Sequence, residues 1–96
     1  MKVIIKKSTN KDKKLMAIFY DGDKKIKTTH FGAKGMDDYT ITKDKEQRSR
    51  YRTRHKKDLD TKDPTKAGYL SYYILWGNST SLQENIKNYK KRFNFN

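Results

Sequence analysis

Six cations within ten residues, Arg48, Arg50, Arg52, Arg54, Lys56 and Lys57, are the side chains of this chain whose types and spacing best suit a defined chemistry. A guanidinium presents a planar fork of donors that matches two phosphate oxygens at once, and four of the six are arginines. Residues 45–57 carry seven basic side chains against a single acid, Glu46, so the run is not neutralised in sequence. Such a surface is suited to a phosphate backbone. Lys34, Lys90, Lys91 and Arg92 are auxiliary candidates. Lys34 lies between Gly32 and Gly35, a pair of glycines that could let backbone N–H groups approach a phosphate. That loop lacks the spacing of either nucleotide-binding glycine motif, and a tight turn needing positive φ accounts for it as well.

A catalytic constellation is harder to assemble. The chain has two histidines, His30 and His55, and nearby acids at Asp37, Asp38, Asp58, Asp60 and Asp63. A histidine with an aspartate could serve a metal-dependent nuclease-like reaction, but nothing in the spacing demands it. His55 falls at helical spacing from Tyr51 and reads as a structural histidine. His30 ends a strand, where an ordinary hydrogen bond explains it, and Asp37-Asp38 reads as a cap or turn. With no cysteine and two histidines, no zinc site, other metal site or cofactor is expected. The chain reads as a binding protein, not an enzyme.

These side chains need a scaffold. Pro64 to Gly77, PTKAGYLSYYILWG, is apolar or aromatic over most of its circumference and is expected to be the buried core helix. Asp63 would be its N-cap, Pro64 its first residue and Gly77 the residue past its end. At about 14 residues it is too short to span a bilayer, which takes roughly 20. Its Tyr69, Tyr73 and Trp76 read as core and not as platforms for stacked bases. Before it, Lys2–Lys7, Leu15–Tyr20 and Lys25–Phe31 read as strands, with Asp21-Gly22-Asp23 a hairpin turn. Asp44 and Gln47 suggest a capping box opening a helix from Lys45 to about Leu59, with Tyr51, His55 and Leu59 turned to the core. Ser81 and Glu84 suggest a second box, opening a helix to about Phe93 with Leu82, Ile86, Tyr89 and Phe93 on one face. Asn94-Phe95-Asn96 is expected to fray. The architecture implied is α+β in one domain: a three-stranded antiparallel meander over residues 1–43, packed against three helices over 44–96.

Composition then sets the class of partner. The 96 residues carry 24 Lys and Arg against 11 Asp and Glu, a net charge of +13. Solubility alone is reached with charges of magnitude about 2–8. Eleven of the cations precede Asp44, eight lie between Asp44 and Asp63, and five follow, so the charge belongs to the fold and not to a tail. Self-repulsion at this level points to a polyanionic partner, nucleic acid before an anionic membrane or an acidic protein. The absence of cysteine fits a reducing compartment, and the opening MKVIIKKS, with an apolar run of three, does not read as a signal peptide.

Four segments together, HFGAKGMDDYT (His30–Thr40), RYRTRHKKDL (Arg50–Leu59), AGYLSYYILWG (Ala67–Gly77) and SLQENIKNYKKRF (Ser81–Phe93), resemble a family of small basic proteins encoded by large nucleocytoplasmic double-stranded DNA viruses. The resemblance implies a viral protein of the virion or the infected cell, not a secreted one. It carries over no catalytic residue. A fainter likeness is to the WGR module of DNA-repair proteins, through Phe31-Gly32-Ala33-Lys34-Gly35, though Phe31 stands where that module has tryptophan. Residues and resemblance lead to one expectation, a binder of nucleic acid, double-stranded DNA before RNA, held mainly through phosphates with little sequence specificity. The alternative is a minor virion component bridging acidic protein partners.

Overall fold

A computed structural model describes all 96 residues, Met1–Asn96. Three strands, β1 (Lys2–Lys7), β2 (Lys13–Asp21) and β3 (Lys24–Ala33), form an antiparallel sheet in the order β1-β2-β3. This is the expected meander. Val3 pairs with Phe19, and Phe31 with Leu15, so the alternation places Val3, Ala17, Phe19 and Phe31 on one face, where all four are buried.

The helices that cover this face are α1 (Tyr39–Thr42), α2 (Lys45–His55) with a 3-10 helix (Lys56–Thr61) running on from it, α3 (Ala67–Leu70) continued as a π-helix (Ser71–Leu75), and α4 (Leu82–Arg92). Leu70, Ile74, Leu75 and Trp76 enter the same core as the sheet, together with Tyr39, Tyr89 and Phe95. The segment expected to centre the domain does so.

Its boundaries differ from the expectation, for a reason visible in the carbonyls. Asp63 caps a turn and not a helix: its Oδ1 accepts from the Thr65 N–H at 2.9 Å and the Thr65 hydroxyl at 2.6 Å, and Lys66 N–H closes onto the Asp63 carbonyl. These bonds, and to a lesser extent Lys27 and Lys66, hold the Asp63 carboxyl below its ordinary pKa. The Pro64 carbonyl accepts the Tyr89 hydroxyl, and the Thr65 carbonyl accepts the Thr29 hydroxyl at 2.8 Å. In a helix begun at Pro64 these oxygens would take N–H groups four residues on. Tertiary partners occupy them instead, and the helix starts at Ala67. Its second half is wound as π, which the apolar pattern does not disclose.

Two further expectations are corrected. Thr40 lies in a short helix, α1, capped by Asp38, within residues 1–43, where no helix was expected. The tail does not fray. Asn94 adopts a left-handed conformation (φ 58°), Phe95 N–H returns to the Lys90 carbonyl at 2.8 Å, and Phe95 buries its ring against Tyr89 and Phe19. Asn96 then exchanges backbone hydrogen bonds with Met1 and Val3, extending the edge of β1. Both capping boxes form by half: Asp44 accepts from Glu46 and Gln47, and Ser81 from Glu84. The side chain of Gln47 turns to the Thr42 hydroxyl and that of Glu84 to the Ser79 hydroxyl, so neither reciprocates.

Burial pushes the Tyr89 phenol well above its ordinary pKa of 10.0, with the Asp63 charge adding to the shift; burial raises Tyr51 as well, followed by the charge of Asp58. A phenol whose pKa is raised on folding contributes stability that is complete below the unfolded value and lost above it. Denaturant unfolding midpoints will therefore fall as pH rises beyond about 10. Tyr89→Phe, which removes the titrating group, will flatten that fall while costing about 1 kcal/mol at neutral pH for the lost bond to Pro64.

Candidate nucleic-acid interface

The six cations of the 48–57 run do not act alike. Arg50, Arg54, Lys56 and Lys57 are exposed, and no carboxylate lies within ion-pair distance of any of them. Arg50, Arg54 and Lys57 recur at i, i+4 and i+7, one ridge along α2 and the 3-10 helix beyond it. In the whole protein only Lys14 among the 24 lysines and arginines pairs with a carboxylate, that of buried Asp38 at 2.6 Å.

Arg48 and Arg52, half-buried, are engaged within the fold. Arg52 Nε donates to the Trp76 carbonyl and its Nη2 to Asn78 Oδ1, both at 2.9 Å. Arg48 Nη1 reaches the Asn78 carbonyl at 3.1 Å and the Gly77 carbonyl at 3.4 Å. Each guanidinium also lies over a tyrosine ring, Arg48 over Tyr39 and Arg52 over Tyr72. They cap the end of the core helix, whose last carbonyls have no partner within the helix. Burial, and then the Arg48 charge, lower the Arg52 pKa from its ordinary value. Spacing held the signal: 48 and 52 fall one turn apart beside Tyr51 and His55, on the inward side of the helix.

The auxiliary cations divide too. Lys34 is exposed, but its N–H donates to the Asp12 carbonyl, and Met36 N–H donates to the Ala33 carbonyl. Gly32, near the end of β3, and Gly35 both have positive φ, 79° and 87°, as a tight turn out of the strand requires. Arg92 lies 5.0 Å from the Tyr73 ring centroid, in a crevice of about 180 Å³ that it shares with Arg52. Lys90 and Lys91 lie on α4, which packs on the π-helix, away from the ridge of α2.

Neither histidine stands unpartnered. His30 Nδ1 is 2.7 Å from the Ser8 hydroxyl, and His55 Nδ1 is 3.1 Å from Asp58 Oδ2. His55 also stacks on Tyr51, which stacks on Trp76, with centroid separations of 4.2 and 4.3 Å. No group of three or more histidine, aspartate or glutamate side chains converges to hold a metal ion. No helix is long and apolar enough to cross a membrane.

A feature that sequence reasoning missed lies beside the ridge. The β3–α1 loop, α2 and the α3–π helix enclose a cleft of about 670 Å³, and Arg50, Arg54 and His55 stand on its wall. Its sequence signal was the offset of Arg50 and Arg54 by one residue, about 100° around the helix, from the inward stripe of Tyr51 and His55, together with the small residues Ala67 and Gly68.

Comparison with known proteins gives one family. No curated protein and no solved structure matches the chain. Residues 3–55, from the first strand through the end of α2, match the model of a family of unknown function, DUF5754. That span takes in the sheet, the glycine turn and the exposed arginines Arg50 and Arg54, and it is more than half of the chain. The protein belongs to the DUF5754 family.

Proposed function

We propose that this protein binds nucleic acid, double-stranded DNA in preference to RNA, through its phosphates and with little sequence specificity. The observation that carries the reading is the ridge of Arg50, Arg54 and Lys57 with Lys56 next to it in the chain, all exposed and without carboxylate partners in a chain of net charge +13. Unpaired cations on a rigid helical element neutralise phosphates and release counterions, which supplies affinity without reading bases. The likeness to small basic proteins of large DNA viruses adds to the proposal and would place the protein in the virion or the infected cell. In this reading the chain is a binder and not a catalyst.

Titration of duplex binding against salt tests it. With these four cations and one further lysine on phosphates, log K will fall against log salt with a slope of about −4.5. A flat response sinks the proposal.

The alternative, a virion component that bridges acidic proteins, draws on the outer face of the sheet. Ile26 is left without a pairing partner where the β2–β3 register shifts, and it and Met1 are half exposed, Ile26 flanked in the chain by Lys25 and Lys27 and Met1 by Lys2. A partner retained after nuclease treatment and high salt would favour that reading.

A further inference from the structure

The cleft beside the ridge combines three properties that the phosphate surface alone does not need. Its volume, about 670 Å³, falls within the roughly 300–1,000 Å³ of small-ligand sites. Of its cations Lys13, Arg50 and Arg54 have no acidic partner, Arg50 and Arg54 standing one helical turn apart; the charge of Lys14 is matched by Asp38, and Asp37 is the one lining carboxylate without an ion pair. Along the wall runs a stack of three rings, buried Trp76, then Tyr51, then His55. The stack ends at the imidazole, whose side chain is 35% exposed and whose far face carries no other ring. Asp58 holds the imidazole by its Nδ1 edge, which fixes the ring plane. Ser71, the first residue of the π-helix, lines the floor, and π-wound segments recur at functional sites.

A part-exposed imidazole that ends a ring stack, beside two guanidinium groups without acidic partners in a recess of that size, suits a planar ring carrying a phosphate. We propose that the cleft binds a nucleoside monophosphate unit, its base stacked on His55 and its phosphate held by Arg50 and Arg54. The unit can come from a free nucleotide or from an unpaired nucleotide of a strand. The site goes beyond the duplex surface, with which it shares only the two arginines.

The test uses the intact protein and follows the amide signals of Gly32, Gly35 and Gly68 while adenosine 5′-monophosphate, adenosine or inorganic phosphate is added. The nucleotide will bind at least tenfold tighter than either fragment. Arg50→Ala with Arg54→Ala will reduce it to the level of adenosine. Ala67→Trp, at an exposed position on the cleft wall, fills the recess without changing charge; it will weaken the nucleotide at least tenfold and leave the affinity and salt slope for blunt duplex DNA unchanged. Met36→Trp on the exposed loop of the cleft, which likewise leaves the charge unchanged, will give the same selective loss for the nucleotide. A duplex with one unpaired nucleotide that gains tenfold over the blunt duplex, and loses the gain in Ala67→Trp, identifies a strand as the source; nucleotide binding without that gain identifies the free molecule. A nucleotide held no tighter than phosphate, or indifferent to both cleft variants, overturns the proposal whatever the duplex titration gives.

Discussion

Replacing Arg50, Arg54, Lys56 and Lys57 together by alanine will lower affinity for duplex DNA by roughly three orders of magnitude at moderate salt, taking about 1 kcal/mol for each lost phosphate contact. The salt slope will fall in magnitude by about 3.6, since each neutralised phosphate contributes about 0.9. Stability will change little, because all four side chains are exposed and none makes an ion pair. The informative control is the other half of the same run. Arg48→Ala with Arg52→Ala removes as much positive charge as any two of the four, yet it will leave the slope nearly unchanged. It will instead cost about 2–4 kcal/mol of stability, because it strips charged donors from the carbonyls of Trp76, Gly77 and Asn78. If both variants reduced the slope equally, charge alone and not the ridge would govern binding. Gel shifts over a salt series, with thermal melts of each variant, separate the two outcomes.

The contrast within one helix shows what was legible in the sequence and what was not. Strand periodicity, the Asp-Gly turn and the apolar run at 67–76 announced the sheet and the core, because burial on one face leaves a mark at spacing two or 3.6. Hydrogen-bond destinations leave no such mark. Asp63-Pro64 has the composition of a helix start, yet Tyr89 and Thr29, distant in sequence, claim the carbonyls a helix would use. Arg48 and Arg52 have the same composition as Arg50 and Arg54; spacing turns the first two inward, but only the fold supplies the carbonyls they meet there. The short tail Asn94-Phe95-Asn96 looks like a frayed end until the neighbouring edge of β1 is placed beside it. The cleft was hidden for a similar reason, since it is a space between three elements and no one segment encodes it.

Gly77→Ala will be the most damaging small substitution in the protein, lowering stability by about 3 kcal/mol or more and the melting temperature by about 12–24 °C. The sequence suggested this glycine for the left-handed residue after a helix, but its φ is not positive. Space is what it supplies. A Cβ there would lie 2.3 Å from the Tyr73 carbonyl oxygen and 2.6 Å from both Cγ and Oδ1 of Asn85. Neither neighbour can give way cheaply. The Tyr73 carbonyl is fixed in the π-wound backbone, whose next residue, Ile74, is fully buried. The Asn85 amide, 1% exposed, donates to the carbonyls of Ile74 and Ser79 and accepts from Ser79 N–H. Moving it would orphan three buried or part-buried polar groups, each costing about 1–3 kcal/mol. The same displacement would shift the Gly77 and Asn78 carbonyls off Arg48 and so loosen α2 from the core. Because the ridge is carried on α2, the Gly77→Ala protein will lose duplex affinity as it is warmed, well before the wild type does. A variant that melted within about 4 °C of the wild type would mean that the 73–85 contact yields, and that α2 is held by something other than this junction.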